Sequence, residues 1–398
     1  MAGFVSSATL AGICIGIAAT VGTAAVLVGS RDDHPRRPKA PPPTGAFATG
    51  GTPTTDAAVE AAIRRLPAVA TVDFADRPRL AAAWSDFAAG ADGPDHRVLA
   101  LAVDDELAAA DLGYYIDPAQ LRAYRVAHVS VVRAGDDRAH VLELRALTAQ
   151  ALDARLGMTE ELGEPAVLLD SIDAKVELAV LPLLAEPAFP FGDDGWTNSY
   201  AGRQLAAAAG QGIRAELVTA LGSDAADATR ARARAIQLVA ASVGHHEAQH
   251  ALDATHDLPY PQPLSQILVE KHGDPFAVRA RFELSAYTSQ IASDMWLPQL
   301  SLWSLARHGF HAPTQRSPEG FVAVVVIEGL ARHLGIPSPG PVVHGGQIDR
   351  DRLAALGVAL SQRSTVELRS AAAALWAELF DAKLPRIVDD TRRTASVF

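Results

Sequence analysis

Between Ser223 and Asp253 the chain reads as one uninterrupted helix of about 30 residues, ~45 Å long, and a fold has to be built round so long a rod. Ser223 is placed to cap it, with Asp224 and Asp227 in the first turn, where the helix dipole favours negative charge. Ile236, Val239, Ala240 and Val243 recur at helical spacing, and their face continues into His246, Glu247 and His250. An apolar stripe is the face that packs inward, so these polar side chains are predicted to lie on the buried side. Pro259, Pro261 and Pro263 then form a clear stop.

Further helices are expected on both sides of this one. Asn198 or Ser199 can cap a helix that runs to Leu221 and stops at Gly222. Asp274 followed by Pro275 opens another, which places Phe276, Ala280, Glu283, Leu284, Tyr287, Ile291 and Asp294 along one face. Ser317-Pro318 opens a helix that is apolar all round and hence buried, and two Ala- and Leu-rich helices follow at about 349–360 and 365–381. Residues 57–190 are different in character. Strands are expected at 98–103, 123–132, 138–147 and 165–170, with a hairpin turn at Ala134-Gly135-Asp136-Asp137; 176–183 fits a strand or a buried helical turn equally. The fold class is therefore α+β and predominantly helical: a lobe at 57–190 with a small mixed or antiparallel sheet, then a helical lobe at 191–398. Gly192-Asp193-Asp194-Gly195 lacks calcium-loop ligand spacing and reads as an acidic surface turn.

Ala2–Gly29 carries no charged side chain and is long enough to cross a bilayer core of ~30 Å. Residues 1–30 are accordingly expected to be a transmembrane anchor, with a cleaved signal segment as the alternative. Residues 31–56, rich in Pro, Gly and Thr, read as a linker. Arg31, Arg36, Arg37 and Lys39 follow the apolar segment, which by itself favours a cytoplasmic domain. Large domains translocate largely regardless of such charges, and the Pro-rich tether suits the cell envelope, so an extracytoplasmic placement is expected. The formal net charge of −11 excludes nucleic acid as a partner, since phosphates call for a basic surface. Cys14 is the only cysteine, which excludes an intramolecular disulfide and a Cys-based metal site.

His246-Glu247-Ala248-Gln249-His250 is an HExxH pattern. Histidines four apart share a helical face, so both imidazoles can reach one Zn2+ ion, and Glu247 beside them can deprotonate water that the ion activates. A catalytic zinc takes three protein ligands, so one is missing. Glu283, a carboxylate in an apolar stripe of the next helix, would be costly to bury unpaired, and a metal would relieve that cost. A salt bridge to Arg279 is the plainer account of it. His256 completes HExxHxxDxxH, one residue from the metzincin pattern, with Asp253 where that pattern has glycine. Asp253 shares the face of His246 and is better suited to orienting an imidazole than to ligation. Glu328 is a distant reserve for the third ligand. Tyr287, one turn beyond Glu283, is the candidate donor to a developing oxyanion, with His256 and His272 behind it.

HEAQHALD followed some thirty residues later by FELSAY resembles the gluzincins, a clan of zinc peptidases, over roughly residues 224–294. The resemblance implies a zincin-like catalytic lobe, His246 and His250 as ligands, Glu247 as general base and Glu283 as third ligand. It further implies a peptide or protein substrate laid along an edge strand of the preceding sheet. The contrasting expectation is a non-catalytic envelope scaffold or binding protein in which the motif is vestigial or accidental.

Overall fold

The computed structural model describes residues 50–66, 74, 76–148, 155–159, 164–186, 199–256, 258–268 and 274–389, the side chains of 274 and 275 excepted. The expected membrane segment, the linker up to residue 49, the 192–195 turn and His272 lie outside the described residues. Among the described residues no helix is long and apolar enough to cross a membrane.

Three helices come first: α1 (Ala57–Ile63), α2 (Pro78–Gly90) and α3 (His96–Ala109). The run 98–103, expected as a strand, lies inside α3. Ala100, Val103 and Leu107 are buried and Val98 is exposed, a spacing of three and four residues. Six consecutive apolar residues carry no period of their own, and only the residues beyond them reveal the helical one.

The sheet contains β1 (Tyr114–Asp117), β2 (Arg122–Ala134), β3 (Asp137–Ala146), β4 (Gly157–Met158) and β5 (Ala166–Leu168), in the order β1-β2-β3-β5-β4. Every pairing is antiparallel except β3 with β5. The β2–β3 hairpin forms where expected, with Gly135 at a φ of 62°, a left-handed backbone that glycine adopts without strain. The segment 165–170 is extended only to Leu168, where α4 (Leu169–Lys175) begins. Of the two readings of 176–183 the helical one is found. A π turn at Val176–Val180, closed by the Leu181 N–H on the Val176 carbonyl at 2.9 Å, leads into α5 (Pro182–Ala185). Pro182 has no N–H to continue a ladder and starts a new helix, where none is needed.

Ser199 caps α6 (Tyr200–Leu221) on the Gly202 N–H, and Gly222 ends it with a φ of 52°. The long helix starts later than its sequence suggests. Gly222–Ala226 forms a 3-10 turn, and Asp227, with extended backbone, caps α7 (Ala228–Asp253) by accepting from the Thr229 and Arg230 amides. Asp227 is thus the cap and not a first-turn residue, because its carboxylate satisfies two amides that a helix start leaves bare. Then come α8 (Gln262–Leu268), α9 (Asp274–Ser293), α10 (Pro298–Phe310) and α11 (Pro318–His333). A short ribbon of β6 (Val343–His344) and β7 (Gln347–Ile348) precedes α12 (Arg350–Ser361) and α13 (Thr365–Phe380). Finally β8 (Val388–Asp389) pairs with β2.

Helix α7 is sandwiched. It lies on β3 and β5, where a Cβ on Gly244 would stand 3.5 Å from both Val141 and Val167, and α9 runs along its other side. A single core extends from Val141 and Val167 through Ala240, Val243 and Ala248 to Leu284, Ile291 and the interior of α11 and α13. Each fully buried Leu, Val or Ile in it contributes ~1.5–3 kcal/mol. The sheet of the first lobe is therefore the floor beneath α7.

Candidate metal centre

The register of α7 against α9 is held by a buried polar chain. The His245 ring nitrogen Nε2 lies 2.9 Å from Ser289 Oγ, the Ser289 hydroxyl donates to Gln249 Oε1 at 2.9 Å, and Gln249 Nε2 donates to Asp253 Oδ1 at 2.6 Å. Residues 245, 249 and 253 form one stripe of α7, and 246 and 250 form the stripe beside it. A buried polar group left unpaired costs ~1–3 kcal/mol, so sliding either helix would break several contacts at once. With the register set, Glu283 of α9 comes level with the two histidines of α7.

His246 and His250 bring their Nε2 atoms to 3.0 Å, with the rings nearly perpendicular. Glu283 Oε2 stands 3.6 Å from His246 Nε2 and 3.8 Å from His250 Nε2. The three donor atoms lie within 4.8 Å of one another. Two ligands at ~2.0–2.1 Å from a tetrahedral ion are separated by ~3.3 Å, so the trio fits one ion with shifts of a few tenths of an ångström. The other carboxylate oxygen of Glu283 faces Arg279 Nε at 3.9 Å, and Arg279 also pairs with Glu319. The expected salt bridge and the approach to the histidines coexist on one carboxylate, one oxygen each.

The three groups titrate as a unit. Burial by itself would push the Glu283 carboxyl up, but the hydrogen bond from His246 and the charges of the imidazoles and Arg279 hold it well below its ordinary value. Burial opposes charge on His246 too, and Glu283 outweighs it and raises that imidazole. Burial and the charge of His246 then depress His250 to about 4. A single proton on His246 thus balances the carboxylate, and a cation between the same atoms would do the same more fully.

Glu247 is buried beside them, pushed up to about 7 chiefly by that burial. Thr159 donates its hydroxyl to Glu247 Oε2 at 2.7 Å, and Gly157 passes so close that a Cβ there would lie 2.4 Å from Oε1. Both come from the β4 segment, which ends the sheet on that side among the described residues. The ring of Tyr287 lies 4.4 Å, centroid to centroid, from that of His246. Burial and the nearby Glu283 and Glu319 carboxylates raise its hydroxyl far above the ordinary value, so it stays protonated, as a donor has to be.

The remaining candidates are elsewhere. His256 is more than half exposed, with Nδ1 2.8 Å from the Leu252 carbonyl and Nε2 3.4 Å from Asp137 in the β2–β3 turn. No sharp turn brings it back to the histidines, because α7 ends at Asp253 and the next residues run on past it. Asp253 does not orient an imidazole; it is buried against Gln249 and Ser285 and acts through the polar chain. Glu328 faces the Val342 backbone and lines a groove with Arg332 and Leu375, apart from the histidines. Sequence reasoning missed Gly157, Thr159, Ser289 and the Arg279–Glu319 pair. Only Gln249 and Asp253, four apart on α7, left a trace in the sequence.

No family model matches the chain, and comparisons with curated proteins and with solved structures found no significant match.

Proposed function

We propose that this chain is a zinc-dependent peptidase of gluzincin type, with a zincin-like catalytic lobe tethered to a membrane by residues 1–30 and facing outside the cytoplasm. The observation that carries the reading is the convergence of His246, His250 and Glu283 on one position, with the Glu247 carboxylate beside them. Two imidazoles and one carboxylate suit zinc better than magnesium or calcium, which prefer all-oxygen sets. When bound there, zinc would polarise a carbonyl and bring the pKa of water towards ~7.

The protein's own residues have separable tasks. Glu247 takes up a proton and returns it to the leaving amine; its affinity near neutrality suits both directions. Thr159 holds that carboxylate in place. Tyr287, kept protonated, donates to the oxyanion. The edge strand β4 passes beside Glu247 and is suited to pairing with an extended peptide.

Metal analysis of the full-length protein beside His246→Ala tests the site: about one equivalent of zinc is expected, and none in the variant. Glu247→Ala should keep its zinc and lose casein hydrolysis. A protein that takes up no zinc under any loading condition is not a zinc peptidase, and the scaffold reading then holds. Membrane fractionation with protease accessibility tests the tether and its orientation.

A further inference from the structure

Two cations, one from α4 and one from α10, lie together near Tyr287. Lys175, the last residue of α4, donates from Nζ to Ser304 Oγ of α10 at 3.1 Å. Arg307, one turn further along α10, is close enough for its charge to oppose that of the Lys175 ammonium. Both residues keep partial solvent exposure, while their charged ends are largely surrounded by protein atoms. Among the described residues neither forms an ion pair with a carboxylate. The acids around them are engaged: Asp173 and Glu177, two residues either side of Lys175, with Arg232, Glu283 with the histidines, and Glu319 with Arg279. His308, also on α10, is pushed down to about 3 by burial and by Arg307, so it adds no compensating or competing charge.

Two neighbouring cations held in low dielectric are expensive, and among the described residues the Ser304 hydroxyl is the one hydrogen-bond partner either of them finds. Removing an anion from water to meet both would recover that cost. Tyr287 links the pair to the candidate metal centre: the Arg307 guanidinium acts on its hydroxyl, and its ring packs on His246. We propose that Arg307 and Lys175 form a carboxylate-binding subsite beside the metal centre, selecting peptides with a negative charge close to the cleaved bond. This rests on the peptidase reading for its substrate class, while the anion site itself stands on the unpaired cations. Burial holds the Lys175 ammonium down to about 7, with the charge of Arg307 adding to the effect. An arriving carboxylate would restore its charge.

A peptide offers such a carboxylate from its C-terminus or from an Asp or Glu side chain, and binding can separate the two without turnover. N-acetylleucine, N-acetylleucinamide and N-acetylaspartic acid α-amide are titrated into the full-length protein by calorimetry at pH 6, zinc-loaded and after chelation. We expect one or both acids to bind at least ~10-fold more tightly than the neutral amide in both states. The favoured acid identifies the source of the carboxylate. Arg307→Gln should abolish the preference, Arg307→Lys should restore part of it, and Lys175→Met should weaken it, all with zinc content unchanged. Equal binding of acids and amide, a preference present only with zinc, or one that survives both Arg307→Gln and Lys175→Met would overturn the proposal. The wild-type comparison decides even where a variant fails to fold. Absent zinc uptake or absent hydrolysis would count against the peptidase reading alone, leaving the binding result intact.

Discussion

His246 and His250 face each other through their Nε2 atoms at 3.0 Å, and Glu283 Oε2 closes the triangle from the neighbouring helix. Two imidazole nitrogens at that distance need a proton or a cation between them, since two lone pairs would repel. The carboxylate decides which side of the pair an ion would occupy.

The first prediction concerns that carboxylate. Glu283→Gln keeps the shape but removes the negative charge, so zinc affinity should fall by at least ~10–100-fold, the range seen even for partners that only support a ligand. Competition with a chromogenic chelator measures it. Unchanged affinity would show that the third ligand is not Glu283.

Gly157→Ala tests the contact between β4 and Glu247. The new methyl group would lie 2.4 Å from Glu247 Oε1, so the carboxylate has to move. Peptide hydrolysis should drop by ~10²-fold, as expected when a reacting group is misplaced by about an ångström, while zinc content stays the same. A kcat within a few-fold of wild type would show that Glu247 has freedom to adjust.

A third prediction lies far from the site. Burial pushes the Asp104 carboxyl well above its usual 3.8; Oδ1 accepts the Ile116 N–H at 2.8 Å and Oδ2 has no partner. A folded-state pKa raised above the unfolded value means that stability is fully present below pH 3.8 and declines as pH rises through the folded pKa. Asp104→Asn keeps the Ile116 bond without the charge, so it should stabilise the protein at pH 7 by about 1–2 kcal/mol. The gain should vanish towards pH 4. Urea midpoints of both proteins across that range test the sign, and a gain that grows in acid would refute it.

Gly320→Ala probes the support behind Arg279. A Cβ at Gly320 would meet the Thr314 and Gln315 carbonyls at 2.6 and 2.7 Å, and backbone cannot swing aside as a side-chain tip can. Destabilisation of about 1–3 kcal/mol is expected, read as a lower Tm with little change in the slope of denaturant unfolding.

Much of the site was legible in the sequence because it is written within single helices. The HExxH spacing puts His246 and His250 on one face whatever surrounds them, and the stripe through Ala280, Leu284 and Ile291 marks Glu283 as an inward carboxylate. The caps at Ser199 and Ser317 and the Gly135 turn follow from local backbone chemistry and lie where expected. Local rules failed where two periods fit equally, as at 98–103, or where two side chains could each cap a helix, as Ser223 and Asp227 could.

The sequence by itself determined the long helix, its buried face and the residues able to ligate a metal, because these depend on spacings of three and four along one backbone. Only the tertiary structure decided that Glu283, and not His256, comes level with the two histidines, since that depends on how α9 lies against α7 and on where α7 ends. It also supplied Gly157 and Thr159 beside Glu247 and set Lys175 next to Arg307. Those residues are distant along the chain, and no local spacing relates them. Packing alone brings them together.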